Sequence, residues 1–187
     1  MTNYASDGIT ITSELLCGDR QTYNGSLLVT KKSERNSQGV LVVLEETVYV
    51  PGTTIIQSSA KRNIQGNVTG QWERLLQDAN YLMQTVDITY AADGVTVKSE
   101  VRRNASTLEM ISKKYEPNSA GASVAVEETV SKLVRTIGFL AQLYYAEIKQ
   151  SKVERYLSGN TKSITEYDSN GNFIKVTRYD EKGNVIP

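Results

Sequence analysis

The stretch SVAVEETVSKLVRTIGFLAQLYYAEIKQSKVERYLSG, residues 123–159, decides how this chain is read. Val126, Val130, Leu133, Ile137, Leu140, Tyr144 and Ile148 follow one another at steps of four, three, four, three, four and four residues. Such steps return to one face of a helix and approximate a heptad seam. Val134, Ala141 and Tyr145 widen the stripe. Ser123 suits a helix N-cap, Leu157 closes the stripe, and Gly159 suits the left-handed residue just past a helix end. The expectation is one long amphipathic helix over 123–159, on the order of 50 Å in length. That exceeds the diameter of a compact domain of this size. Part of the Val126–Ile148 seam should therefore lie against something other than its own domain.

Upstream, residues 117–122 read as a linker, because Pro117 disfavours helix at Glu116 and is followed by Asn118, Ser119 and Gly121. Residues 1–116 read as a β-rich domain. Strands are expected over 8–16, 26–32, 40–50 and 53–57, with a turn at Asn24-Gly25 and a stop at Pro51-Gly52. Asp93-Gly94 between 85–90 and 95–101 is a hairpin signal. Residues 60–70 are polar and glycine-spaced, and read as a loop. Trp72, Leu75, Leu76, Ala79, Leu82 and Met83 fall at helical spacing and predict a short helix over about 71–83. Residues 104–115 are ambiguous: Ser106 and Glu109 match a capping box, yet the segment could extend the sheet. The expected fold class is α+β: an antiparallel β-rich N-terminal domain with a short helix, one long amphipathic helix, and a β-meander over 160–187.

The meander is read from a repeat. Ile164-Thr165-Glu166-Tyr167-Asp168-Ser169-Asn170-Gly171-Asn172-Phe173-Ile174 aligns with Val176-Thr177-Arg178-Tyr179-Asp180-Glu181-Lys182-Gly183-Asn184-Val185-Ile186. Asp opens each turn, and Gly at the fourth position takes the left-handed conformation. Turns are expected at Asp168–Gly171 and Asp180–Gly183. In the middle strand Phe173, Lys175, Thr177 and Tyr179 share one face, and Ile174, Val176 and Arg178 the other. Residues 164–186 resemble two YD repeats of the RHS-type β-shell proteins. The resemblance implies local strand–turn geometry, and implies neither a toxin shell nor sugar binding.

Composition narrows the chemistry. The chain of 187 residues carries 21 Lys plus Arg against 21 Asp plus Glu, so no global field gathers nucleic acid or an anionic membrane. The basic pairs Lys31–Lys32, Lys61–Arg62 and Arg102–Arg103 are short, as at solvated strand ends. There is no histidine, which removes Ser-His-Asp and Cys-His nucleophiles and the usual proton shuttle. The lone Cys17 forms no intrachain disulfide and is expected to be inert. No apolar run is long enough to span a bilayer. The first residues are polar and acidic, unlike a signal peptide, so a cytoplasmic or virion location is expected.

The remaining constellations read as structural. Glu45-Glu46 and Glu127-Glu128 diverge on either a strand or a helix, and neither forms an acid–base dyad. Asp168–Asn172 begins like a calcium loop, but Phe173 and Tyr179 stand where that loop needs glycine and glutamate. Gly66–Gly70 precedes the expected short helix but lacks the lysine of a phosphate loop. No catalytic, cofactor or metal residue is expected. The expected role is a structural or assembly protein that forms homo-oligomers, such as a phage tail, neck or capsid-decoration component. Its expected contacts are Val126, Val130, Leu133, Ile137, Leu140, Tyr144 and Ile148, with Tyr167, Phe173 and Tyr179 in the tail. Its expected partners are copies of itself and other structural proteins, with no membrane, and nucleic acid is not favoured as a partner. A ligand-binding β-barrel or sandwich is the alternative, and a carboxylate- or lysine-dependent enzyme a third.

Overall fold

A computed structural model describes residues 2–4, 11–17, 28–50, 53, 55–77, 82–137 and 143–187, with side chains described except over 2–28, 75–83 and 135–145. Asn24-Gly25, Pro51-Gly52 and Leu140 lie outside the described residues, as do the side chains of Cys17, Ile137 and Tyr144.

Among the described residues the chain is all-β, without a helix. Its strands are β1 Thr2–Tyr4, β2 Ile11–Cys17, β3 Leu28–Arg35, β4 Leu41–Tyr49, β5 Ile56–Arg62, β6 Val68–Gln77 and β7 Leu82–Tyr90. They continue as β8 Val97–Asn104, β9 Glu109–Pro117, β10 Ser123–Ile137, β11 Leu143–Arg155, β12 Thr161–Tyr167, β13 Phe173–Tyr179 and β14 Val185–Ile186. Sheet order is chain order, so the topology is a meander in which each strand follows its predecessor.

The α+β expectation is thus corrected, and the long helix with it. Residues 123–159 fold back on themselves: β10 and β11 pair antiparallel from Glu127↔Glu154 to Ile137↔Leu143. Seven of the fifteen residues of β10 are β-branched: Val124, Val126, Thr129, Val130, Val134, Thr136 and Ile137. Such side chains favour a pleated surface over a helix. The strand alternation was hidden by two bulges. Register shifts between Ala125 and Glu127 opposite β9, and between Val130 and Ser131 opposite β11. Each bulge adds one residue to one strand and breaks the period of two there. The expected short helix over 71–83 is likewise replaced by strands: Trp72 in β6 stands opposite Ser59 in β5. With no helix start there, the anion-binding reading of Gly66–Gly70 has no basis. The capping pair is split: Ser106 lies in a turn, in which Asn104 Oδ1 accepts from the N–H groups of Ser106 and Thr107 at 2.9 and 3.2 Å, and Glu109 opens β9. Residues 117–122 contain the turn between β9 and β10.

One turn recurs along the chain. At Asn36, Asn63, Asn118, Asp168 and Asp180 the first residue's carbonyl accepts from the glycine three residues on, at 2.8–3.0 Å. Its own N–H donates to the carbonyl four residues on, at 2.9 Å. Its side-chain Oδ1 accepts from the N–H groups two and four residues on, at 2.8–3.1 Å. Tyr156–Gly159 repeats the backbone part, and Ala91–Gly94 repeats it with one residue more. The closing glycine has φ between 74° and 90° in all seven, a region L-residues avoid. The two tail turns stand where the repeat predicts them, and the gap between the strands expected over 26–32 and 40–50, like the loop expected over 60–70, shrinks to one such turn.

The chain divides into two compact units, Met1–Arg74 with Asp87–Thr96, and Leu75–Val86 with Val97–Pro187. In the first unit, opposite charges face each other across strands: Lys31 stands opposite Glu46, with Nζ 3.2 Å from the carboxylate, and Glu45 stands opposite Lys61. The Nδ2 groups of Asn63 and Asn67 both donate to the Ala92 carbonyl at 3.0 Å, tying two neighbouring tight turns together. In the second unit, among the side chains described, Met110 and Leu133 are buried together with the small polar Thr85, Thr129, Ser131 and Ser163. Cross-strand pairs add to the packing of such a sheet.

Candidate assembly surface

The pairs that organise the second unit lie on both faces of β9–β12. Glu127 stands opposite Lys114, with Nζ 3.0 Å from Oε1, and its Oε2 meets Lys152 Nζ at 2.9 Å. Lys152 also meets Glu154 at 2.9 Å, and Glu154 Oε2 accepts from Ser163 Oγ at 2.9 Å. Adjacent strand residues point to opposite faces, so Glu128 anchors a second cluster, with Lys113 at 3.2 Å and Arg155 at 3.8 Å. Tyr115 donates to Glu100 Oε2 at 3.1 Å, and Glu100 also pairs with Arg102.

These contacts set the charge states. Burial pushes Glu127 up, but the hydrogen bonds from Lys152 and Lys114 outweigh it and hold its carboxyl below the usual glutamate range. Lys152 and then Ser163 hold Glu154 low by hydrogen bonding. Accepted by two carboxylates, first Glu154 and then Glu127, the Lys152 ammonium is pushed up to about 12. Burial raises Glu100, yet the bonds from Arg102 and Tyr115 bring it below its ordinary value. On β10 the Glu127-Glu128 pair splits across the strand, one carboxylate per face.

The expected seam does not form a single stripe. Leu133 is buried with Thr129 and Ser131, at alternate positions on one face of β10, whereas Val130 points to the other face. Ile148 in β11 stands opposite Lys132 and so shares a face with it, away from Leu133. Val126 is the bulged residue of β10 and is half-buried. By backbone, Ile137 ends β10, and Tyr144 in β11 stands opposite Thr136. Helical spacing had gathered residues that the two strands distribute over both faces.

Of the tail residues, Tyr167 and Phe173 are neighbours and Tyr179 stands at the other end of β13. Tyr167 at the end of β12 stands opposite Phe173 at the start of β13. Tyr179 ends β13, and its carbonyl accepts from Tyr156 Oη at 2.9 Å, while Asn160 Nδ2 donates to the Glu181 carbonyl at 2.8 Å. These bonds fasten the last hairpin to the turn before it. β14 pairs with Arg178 and Tyr179 at this end of β13. Large apolar side chains stand exposed at both ends of the strand: Phe173 is 62% exposed and Ile174 54% at its start, Val185 66% and Ile186 44% beside its end. Residues missed by the sequence reading include Ser131, whose buried hydroxyl donates to Glu147 at 2.8 Å, and Lys152 and Tyr156. None belongs to a motif, and only strand register brings them to their partners.

Among the described residues no group of three or more acidic or cysteine side chains could hold a metal ion. A cleft of about 360 Å³ in the first unit is lined by Ser59, Lys61, Trp72, Asp87 and Thr89 beside Gly70. It is open, with a lining that is part polar and part apolar, unlike the closed apolar cavity a ligand-binding barrel calls for. No protein-family model matches the chain, and no curated protein matches it.

Proposed function

We propose that this chain is a structural protein that forms homo-oligomers, a building block of a self-assembling body such as a phage virion. The observation that carries this reading is the exposure of large apolar side chains in the last two strands, Phe173 and Ile174 in β13 and Val185 and Ile186 in β14. Exposed apolar surface of this kind is what a contact with another chain would cover. The likeness of residues 164–186 to YD repeats supports the same reading, since such repeats build extended sheets from successive hairpins.

The test is size-exclusion chromatography with light scattering over a range of concentrations. The expected mass is a multiple of the 20.7 kDa chain that falls on dilution. A mass of one chain throughout, up to about 100 μM, a concentration that captures even weak contacts, would remove the proposal.

A further inference from the structure

Gly70 is the exception among the described glycines, and we infer that it forms the bare floor of a binding cleft for a neutral saccharide. The seven other described glycines close tight turns with positive φ. Gly70 lies inside β6 with its φ outside that range. A Cβ built there would meet nothing closer than 3.9 Å, at the Ile88 carbonyl oxygen and at Lys61 Cβ. Neither the backbone nor crowding asks for glycine here. A bulge adjoins it, since Lys61 stands opposite Gly70 and Arg62 opposite Val68. The kind of bulge that calls for glycine needs it left-handed, however, and Gly70 is not. Glycine inside a strand weakens the sheet, and its other use there is to let a ligand or a second backbone come close.

Strand register builds the cleft of about 360 Å³ around this floor. Ser59 stands opposite Trp72 and Lys61 opposite Gly70, so these four share one face of β5 and β6. Asp87 and Thr89, on one face of β7, bring a carboxylate and a hydroxyl to the same cleft. Trp72 is the one tryptophan of the chain and is half-buried. The Arg74 guanidinium carbon lies 6.0 Å from its ring centroid, a contact that restrains the indole. A sugar ring matches this lining. Its flat C–H face packs on an aromatic ring. Its hydroxyls both donate and accept, and they meet an ammonium that donates, a carboxylate that accepts and two hydroxyls that do both. The volume is that of a small-ligand site. Other ligand classes fit worse. An apolar ligand would take water from Lys61 and Asp87 without replacing its hydrogen bonds. A nucleic acid or an acidic glycan would meet Asp87 in the cleft and Glu45 opposite Lys61.

The test uses the full chain and the fluorescence of Trp72, which reports on the cleft alone because no other tryptophan is present. The protein is titrated with cellohexaose, chitohexaose, mannohexaose and isomaltohexaose, each to roughly 1 mM, which reveals even weak sites. At least one should shift the emission saturably, whereas polygalacturonate and single-stranded DNA should not. Gly70→Thr puts a β-branched side chain on the floor. It should weaken binding about tenfold, while the melting temperature holds or rises, because its Cβ has room and threonine suits a strand. Asp87→Asn should weaken binding as well, with an unchanged far-ultraviolet circular dichroism spectrum. No response to any of the four saccharides, or an undiminished one in Gly70→Thr, would overturn the site. So would a lowered melting temperature in Gly70→Thr, which would show that the sheet itself needs the glycine. A response confined to polygalacturonate or DNA would overturn the ligand class.

Discussion

Gly171 is held in place twice over, by its backbone and by its neighbour. Its φ is +83°, and a Cβ built there would stand 3.3 Å from Ile148 Cγ2. Gly183 closes the sister turn with φ +87°, yet a Cβ there would meet nothing within 4 Å. The two positions separate conformational from steric cost. Gly183→Ala should cost about 1 kcal/mol for the left-handed backbone alone. Gly171→Ala should cost roughly 1 kcal/mol more, because Ile148 has to yield. Urea denaturation of the two variants measures the difference, and equal midpoints would show that Ile148 moves aside freely. The tight-turn residues were also the most legible part of the sequence. Asp168 and Asp180 could be placed because Asp-x-x-Gly recurred within a visible repeat. Asn36, Asn63 and Asn118 carry the same hydrogen bonds and the same glycine three residues on, but their surroundings differ, so they read as loops or a linker.

At the scale of strands, legibility failed where register replaces motif. Residues 123–159 satisfy a heptad count and a strand pair alike, and the bulges in β10 and β11 erase the alternation that would have decided between them. The β-branched content of β10 and Gly138 between the strands were the available signals. Partnership across strands could not be read at all, because Lys152 finds Glu127 only through the pairing of β10 with β11. That partnership makes a pH prediction. Glu127 and Glu154 both have folded pKa values below the ordinary 4.5. A depressed carboxyl stabilises the fold above its unfolded pKa, and that contribution is lost as pH falls through the folded value. Wild-type stability should therefore decline below about pH 4.5. Lys152→Met removes the shared cation, so Glu127 and Glu154 titrate closer to their unfolded values and the decline becomes shallower. At neutral pH the variant should lose about 1 kcal/mol, since the group is partly solvated. Thermal melts from pH 3 to pH 7 check both, and an unchanged slope in Lys152→Met would show that the cluster does not couple to folding.

For the whole molecule, chain-order pairing means that each strand rests on its immediate neighbours, as in repeat proteins whose stability is a sum of local terms. The described turns between successive strands are short, so loop-closure entropy is small at those steps. Removing the end of such a chain should act locally. A chain ending at Tyr167 loses β13, β14 and the bonds from Tyr156 to Tyr179 and from Asn160 to Glu181. It keeps the charge cluster of Lys114, Glu127, Lys152 and Glu154, with Ser163 still bonded to Glu154. The new edge, β12, carries Lys162 and Glu166, charges that discourage edge-to-edge pairing. Amide hydrogen exchange should therefore show lost protection in β12, a smaller loss in β11, and unchanged protection in β3–β5. Loss of protection across β3–β5 as well would mean that the two compact units fold as one cooperative body. In that case additivity strand by strand would be the wrong description of this sheet.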